Sequence, residues 1–174
     1  ADPVTRLARV FAPAALLAVA ALSAPAAAQG TVTATYGDWN IVCDSSGEEC
    51  AMRQVGKGPQ GNDVLAVTVR ALDGVTADDG SAVPAVIDII APLGVALRAG
   101  VRVTIDGGEE RGAPFEVCTQ QGCLVRQPMG TDFLEAMKRG VTARMLVVSA
   151  QRGEVPVDIS LSGFTRSFGE LESR

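Results

Sequence analysis

The sequence predicts an all-β domain, a disulfide-stapled antiparallel β-sandwich or open barrel carrying one or two short helices. Apolar and polar residues alternate with period two in six segments, as strands with one buried face require. Turn-forming Gly and Asp clusters separate these segments at regular spacing. The four cysteines fall into two tight local pairs, an even count of the kind exported proteins favour.

The first element is not part of that domain. Residues 1–28 read as a secretory signal. Arg6 and Arg9 give a positive start, Val10 to Leu22 an apolar run, and Ala26-Ala27-Ala28 the small residues of a cleavage site. Gln29 is then the expected new N-terminus. A run of about 13 apolar residues is short for the ~30 Å hydrocarbon core of a bilayer, and Pro13 and Pro25 weaken it further as a spanning helix. No second stretch reaches spanning length. Residues 29–174 are therefore expected to form a single β domain, periplasmic or secreted, with no membrane span after cleavage.

Along that domain, Trp39, Ile41 and Cys43 share one face of WNIVC, and Leu65, Val67 and Val69 share one face of VLAVTVR. Residues 85–90 (AVIDII) read as a more fully buried strand interrupted by Asp88. In VRVTID, Val101, Val103 and Ile105 face in and Arg102, Thr104 and Asp106 face out. Phe115 and Val117 alternate with Glu116. Met145 and Val147 form a short set, and Val155, Val157, Ile159 and Leu161 fall on one face. Turns are expected at Gly56-Lys57-Gly58-Pro59, Asp78-Asp79-Gly80, Gly107-Gly108 and Gly153. Asp132 is placed to cap a helix over FLEAMKR with Glu135 as its capping-box partner, and Gly140 to end it. A second short helix follows Gly163, where Phe164, Phe168 and Leu171 recur at helical spacing.

Composition excludes several functions. The chain contains no histidine, which removes the commonest general base, Ser-His-Asp and Cys-His catalysis, and His-based zinc sites. The net charge is -5, and -6 without residues 1–28, which hold Arg6, Arg9 and Asp2. An acidic balance without a basic stripe argues against nucleic acid. Aromatic residues make up 4%, too few for the girdles of an outer-membrane barrel.

The gaps Cys43-DSSGEE-Cys50 and Cys118-TQQG-Cys123 hold polar turn residues and one glycine each, so each loop can fold back on itself. Disulfides Cys43–Cys50 and Cys118–Cys123 are the expectation, although four cysteines allow three connectivities. Two other readings stand beside it. A four-thiolate zinc site lacks its usual two-residue knuckles. A redox-active dithiol lacks Cys-x-x-Cys spacing and a following helix start.

The remaining candidates have structural explanations. Trp39, the only tryptophan, reads as a core residue beside the first disulfide, with an exposed partner anchor as the alternative. Gly56-Lys57-Gly58 lacks phosphate-loop spacing and reads as a turn. Asp78-Asp79 and Glu109-Glu110 read as solvated loop tips rather than catalytic or calcium-binding pairs. Ser45-Ser46 would need Lys57 as a base. No catalytic, cofactor-binding or metal site is assigned. On such a scaffold the loops 44–49, 73–83, 106–113 and 119–122 are where function is expected.

Several segments occur together in a recognisable order: YGDWNIVC, CAMRQV, PLGVALRAGVRVTIDGG, FEVCTQQGC and ISLSGFTRSF. From about Tyr36 to Leu171 the chain resembles the invasion-associated locus B family of bacterial exported proteins. The resemblance implies an all-β periplasmic or secreted domain without known catalytic activity, and it carries over no catalytic residues. What it carries over is structural: Trp39, the four cysteines, Pro92-Leu93-Gly94, Gly122 and Gly163-Phe164. The expected function is that of a non-enzymatic envelope or secreted protein, a protein-interaction module whose partner is a protein or envelope component. A role in host-cell invasion is implied by the resemblance alone. The alternative is a periplasmic thiol–disulfide redox factor or another periplasmic enzyme.

Overall fold

A computed structural model describes residues 30–174; the predicted signal over residues 1–28 lies outside the described residues. Eleven strands form one antiparallel sheet: β1 (Thr31–Tyr36), β2 (Trp39–Cys43), β3 (Cys50–Lys57), β4 (Asp63–Ala71), β5 (Ala85–Ala91), β6 (Val101–Ile105), β7 (Arg111–Ala113), β8 (Val117–Thr119), β9 (Gly122–Met129), β10 (Thr142–Ser149) and β11 (Gly153–Ser160). Two helices accompany it, α1 (Thr131–Arg139) and α2 (Phe164–Glu172). The sheet runs β7-β6-β10-β11-β3-β4-β5-β9-β8, with β2 and then β1 branching from β3. It curls into a half-barrel, so of the two expected architectures the open barrel is the one adopted.

The fork lies in β3. Its first half pairs with β2, ending at Cys43 opposite Cys50, while Lys57 at its far end pairs with Asp158 of β11. A register shift between Gly56 and Lys57 bends the strand there. A Cβ on Gly56 would lie 2.5 Å from side-chain methyls of both Val157 and Ile159, so the glycine makes room for β11 to cross close by. This corrects the expected turn at Gly56-Lys57: both belong to β3, and the turn begins at Gly58.

The alternation read from sequence defines the concave face. Trp39, Ile41, Leu65, Val67, Val69, Val101, Val103, Met145, Val147, Val157 and Ile159 are all buried, joined by Ile87, Ile89 and Val125. Val117 departs from the expectation. It is half exposed because β8 is a three-residue edge strand whose neighbour β9 turns this position outward. Asp106 is exposed as expected, but it lies just past the strand at φ 49°, and its carboxylate accepts hydrogen bonds from the Val141 and Thr142 N–H groups. It ties the end of β6 to the start of β10.

Helix α2 packs across β1–β4 and against α1. Phe164 and Phe168 are fully buried and stack with centroids 6.2 Å apart, and Phe164 meets Trp39 edge-on at 5.2 Å. In α1, Leu134 and Met137 are the buried residues. The expected cap is corrected: Gly130 is the N-cap, Asp132 lies in the first turn, and Glu135 pairs with Lys138 and Arg139 instead of closing a capping box. Gly140 ends the helix with extended backbone rather than a left-handed turn. Its glycine identity follows from packing, since a Cβ would press on Ile105 and Leu161 at 2.6 and 2.8 Å.

Candidate functional site

Both disulfides join directly opposed residues of neighbouring strands. Cys43–Cys50 closes loop 44–49 between β2 and β3, and Cys118–Cys123 closes the hairpin between β8 and β9. Their Cα atoms are 4.0 Å apart in each case, so the expected connectivity is the one formed, and no cysteine is free among the described residues. Loop 44–49 is organised by Asp44, which accepts from the Ser46 hydroxyl and from the Glu48 and Glu49 N–H groups. The Ser46 hydroxyl leads in holding the Asp44 carboxyl below the ordinary carboxylate range. In the second loop Gly122 has φ 135°, and a Cβ there would run into the Ala91 carbonyl.

Trp39 takes the core reading. It is fully buried, and its Nε1–H donates to the Ser160 carbonyl at 2.9 Å. Gln54 holds the same residue from the other side, donating to the Ser160 carbonyl and accepting from its N–H. The Ser46 hydroxyl bonds the Asp44 carboxylate, and the Lys57 ammonium lies 2.7 Å from Asp63 rather than at either serine. Asp79 serves its own loop by accepting from the Ser81 N–H and hydroxyl, and the hydroxyl leads in lowering its pKa. Glu109 pairs with Arg111, and Glu110 with Arg102.

A cleft of about 560 Å³ lies at the seam of the half-barrel. One wall comes from β5 and β9, the other from β6 and β7. The floor is apolar: Ile87, Ile89, Val103 and Val125 reach it from the buried face of the sheet. At the rim stand Ser81, Arg111, Thr131, Asp132 and Phe133, with Gln127 on the inward phase of β9. The Arg111 guanidinium lies 5.4 Å from the centroid of the Phe133 ring and so bridges β7 to the start of α1.

Loops 73–83 and 106–113, both singled out in the sequence, meet at this cleft through Ser81 and Ala82 and through Arg111–Ala113. Loop 44–49 does not reach it. Gln121 of loop 119–122 instead borders a more open groove of about 800 Å³ on the outer face, beside Val55, Ala66 and Ile90. Sequence reasoning missed the contribution of β9 and of the Gly130–Phe133 segment. Pro128 and the adjacent Arg126 and Gln127 obscure the strand's alternation. The available signal was Gln127 itself, a polar residue in phase with Cys123, Val125 and Met129.

Among the described residues, no three His, Cys, Asp or Glu side chains gather as a metal cluster, and no helix is long and apolar enough to cross a membrane. Fold and cleft together define a disulfide-pinned β half-barrel whose open seam exposes an apolar pocket. The chain belongs to the Invasion associated locus B (IalB) protein family, whose model matches residues 39–172. Among solved structures it is similar to the crystal structure of invasion associated protein B from Bartonella henselae, at 24% identity and a TM-score of 0.65. That likeness covers 82% of this chain and 97% of the Bartonella chain, and it bears on the fold. No curated protein matches.

Proposed function

We propose that this chain is an exported, non-enzymatic interaction module, and that the cleft at the seam holds its protein partner or envelope component. Residues 1–28 act as the secretory signal, and the mature chain from Gln29 works in the periplasm or outside the cell. The observation that carries the reading is the cleft itself. It has the size and the apolar floor of a binding site. The chain has no histidine, the Ser46 hydroxyl bonds Asp44, and the Lys57 ammonium pairs with Asp63. Two short-loop disulfides suit an oxidising compartment. An involvement in host-cell entry rests on the family name alone.

The test is to isolate the protein from its native envelope fraction, alkylate free thiols, map unreduced peptides by mass spectrometry, and cross-link in place. The expected result is an N-terminus at Gln29, both disulfides intact, and one partner cross-linked to residues around the cleft. Cysteines that alkylate and re-oxidise as the envelope is reduced and oxidised would replace this reading with the redox alternative. Absence of any cross-linked partner would remove the interaction role.

A further inference from the structure

We propose that one end of the half-barrel docks on an anionic phospholipid bilayer. Leu93 and Leu97 enter the boundary between headgroups and acyl chains, and Arg98 and Arg152 lie against lipid phosphates. This docking goes beyond the reading above and uses no residue of the cleft.

The connection over residues 92–100 crosses the end of the half-barrel from β5 to β6 as a fixed strap. The Ala96 N–H donates to the Val148 carbonyl at 2.7 Å, and the Gly94 carbonyl accepts from the Ala150 N–H at 2.8 Å. Between them Val95 pairs with Ser149 and packs on the core. At the far end Gly100 is buried, and a Cβ there would lie 2.3 Å from the Ala113 carbonyl. This anchored strap still leaves Leu93 59% and Leu97 55% exposed, on either side of Val95. No other leucine among the described residues is exposed. Single exposed apolar residues are ordinary on a protein surface. Two leucines on one short, fixed loop beside cations are the arrangement that enters a membrane interface.

Charge is segregated in the same sense. Successive antiparallel strands carry the chain from end to end, so loops 44–49, 72–84 and 106–110 gather at one end. Loops 58–62, 92–100, 120–121 and 150–152 gather at the other. The first three hold three Asp or Glu residues each and no Lys or Arg. The other four hold Arg98 and Arg152 and no acidic residue. Among the described residues no ion pair engages either arginine. The carboxylates bordering that end are matched by nearby bases: Asp63 by Lys57, Glu154 by Arg102 and Glu116 by Arg126. The 9 residues of β4 separate the two ends by about 30 Å along the strand. That exceeds the Debye length of about 8 Å at physiological salt, so an acidic chain can approach an anionic surface with this end while its acidic loops stay screened. An acidic protein surface would match the arginines alone. A bilayer matches both features, because its interface sets phosphates directly above hydrocarbon.

The test takes the protein in its exported form, purified from the envelope, and sediments it with phosphatidylcholine vesicles that contain or lack phosphatidylglycerol. The expected result is binding that requires phosphatidylglycerol and weakens as salt rises. Leu93→Ser combined with Leu97→Ser should weaken it by about ten-fold or more, and so should Arg98→Gln combined with Arg152→Gln. All four side chains are exposed, so both variants should fold, which a thermal melt verifies. Leu97→Trp supplies a second readout. Its emission should move to the blue on binding and be quenched by brominated acyl chains, over the constant signal of the buried Trp39. Absence of binding to phosphatidylglycerol vesicles, or binding that both double variants leave unchanged, would overturn the proposal. Binding that needs the arginines but not the leucines, without quenching in Leu97→Trp, would overturn it in favour of an acidic partner. Cross-linking of a partner at the cleft should persist in the leucine variant, so lipid docking and the cleft reading fail separately.

Discussion

Asp88 lies on the convex side of β5 with 9% of its side chain exposed, between the guanidinium groups of Arg70 and Arg126. Arg126 bonds both carboxylate oxygens at 2.7 and 2.8 Å, and Arg70 bonds one at 2.7 Å. Burial alone would raise its pKa, but the hydrogen bonds from Arg126 and Arg70 outweigh it and hold the carboxyl below its ordinary value. A carboxyl lowered in the folded state stabilises fully above its unfolded pKa, about 3.9, and loses that contribution as pH falls through the lower folded value. Asp88→Asn should therefore cost about 2 kcal/mol at pH 7 in urea unfolding. The gap to wild type should close as pH drops below about 4. A gap that stays constant down to pH 2 would mean that the ion pairs contribute nothing. In the sequence Asp88 only interrupts an apolar run; its partners stand 18 and 38 residues away.

At the scale of elements, α2 depends on how the chain enters it. Gly163 sits at φ 85°, and a Cβ there would collide with the Tyr36 carbonyl. The close approach lets Phe164 reach Trp39. Gly163→Ala combines left-handed backbone strain with a steric clash, and should cost about 3 kcal/mol by chemical denaturation. Gly47→Ala is the matched comparison, with φ 76° and nothing within 4 Å, and should cost about 1 kcal/mol from backbone strain alone. Equal costs at the two glycines would show that the contact with Tyr36 is easily relaxed. The periodicity of Phe164, Phe168 and Leu171 announced this helix correctly, because helical spacing of large apolar residues is a local property. The start of α1 was misread because Asp132 can cap in principle, whereas the chain direction set by β9 places the N-cap two residues earlier, at Gly130.

At the scale of the molecule, each disulfide pins a hairpin that the sheet already pairs. A short closed loop contributes about 2–2.5 kcal/mol through the unfolded chain. Cys118 is exposed, and Cys123 is buried but stands outside the main hydrophobic cluster. Replacing both with serine should lower the melting temperature while preserving the β spectrum, as circular dichroism would register. Loss of the folded spectrum at 25 °C would instead make the bridge a condition of the fold.

The sequence by itself determined which residues face inward along most strands, that the cysteines fall into two local pairs, and that short helices accompany the sheet. Each is encoded within a few residues, by a two-residue alternation, a short polar loop or a helical spacing. Only the tertiary structure decided that the sheet forks at β3, curls around α2, and leaves a seam between β7 and β9. Alternation says which side of a strand is buried but not which strand lies beside it. The curl depends on contacts such as Lys57 opposite Asp158 and Gly56 against Val157, each about a hundred residues apart in the chain. The cleft inherits that dependence. Its floor is drawn from residues that the sequence marks only as core, and their distinction comes from standing where the two ends of the curled sheet fail to close.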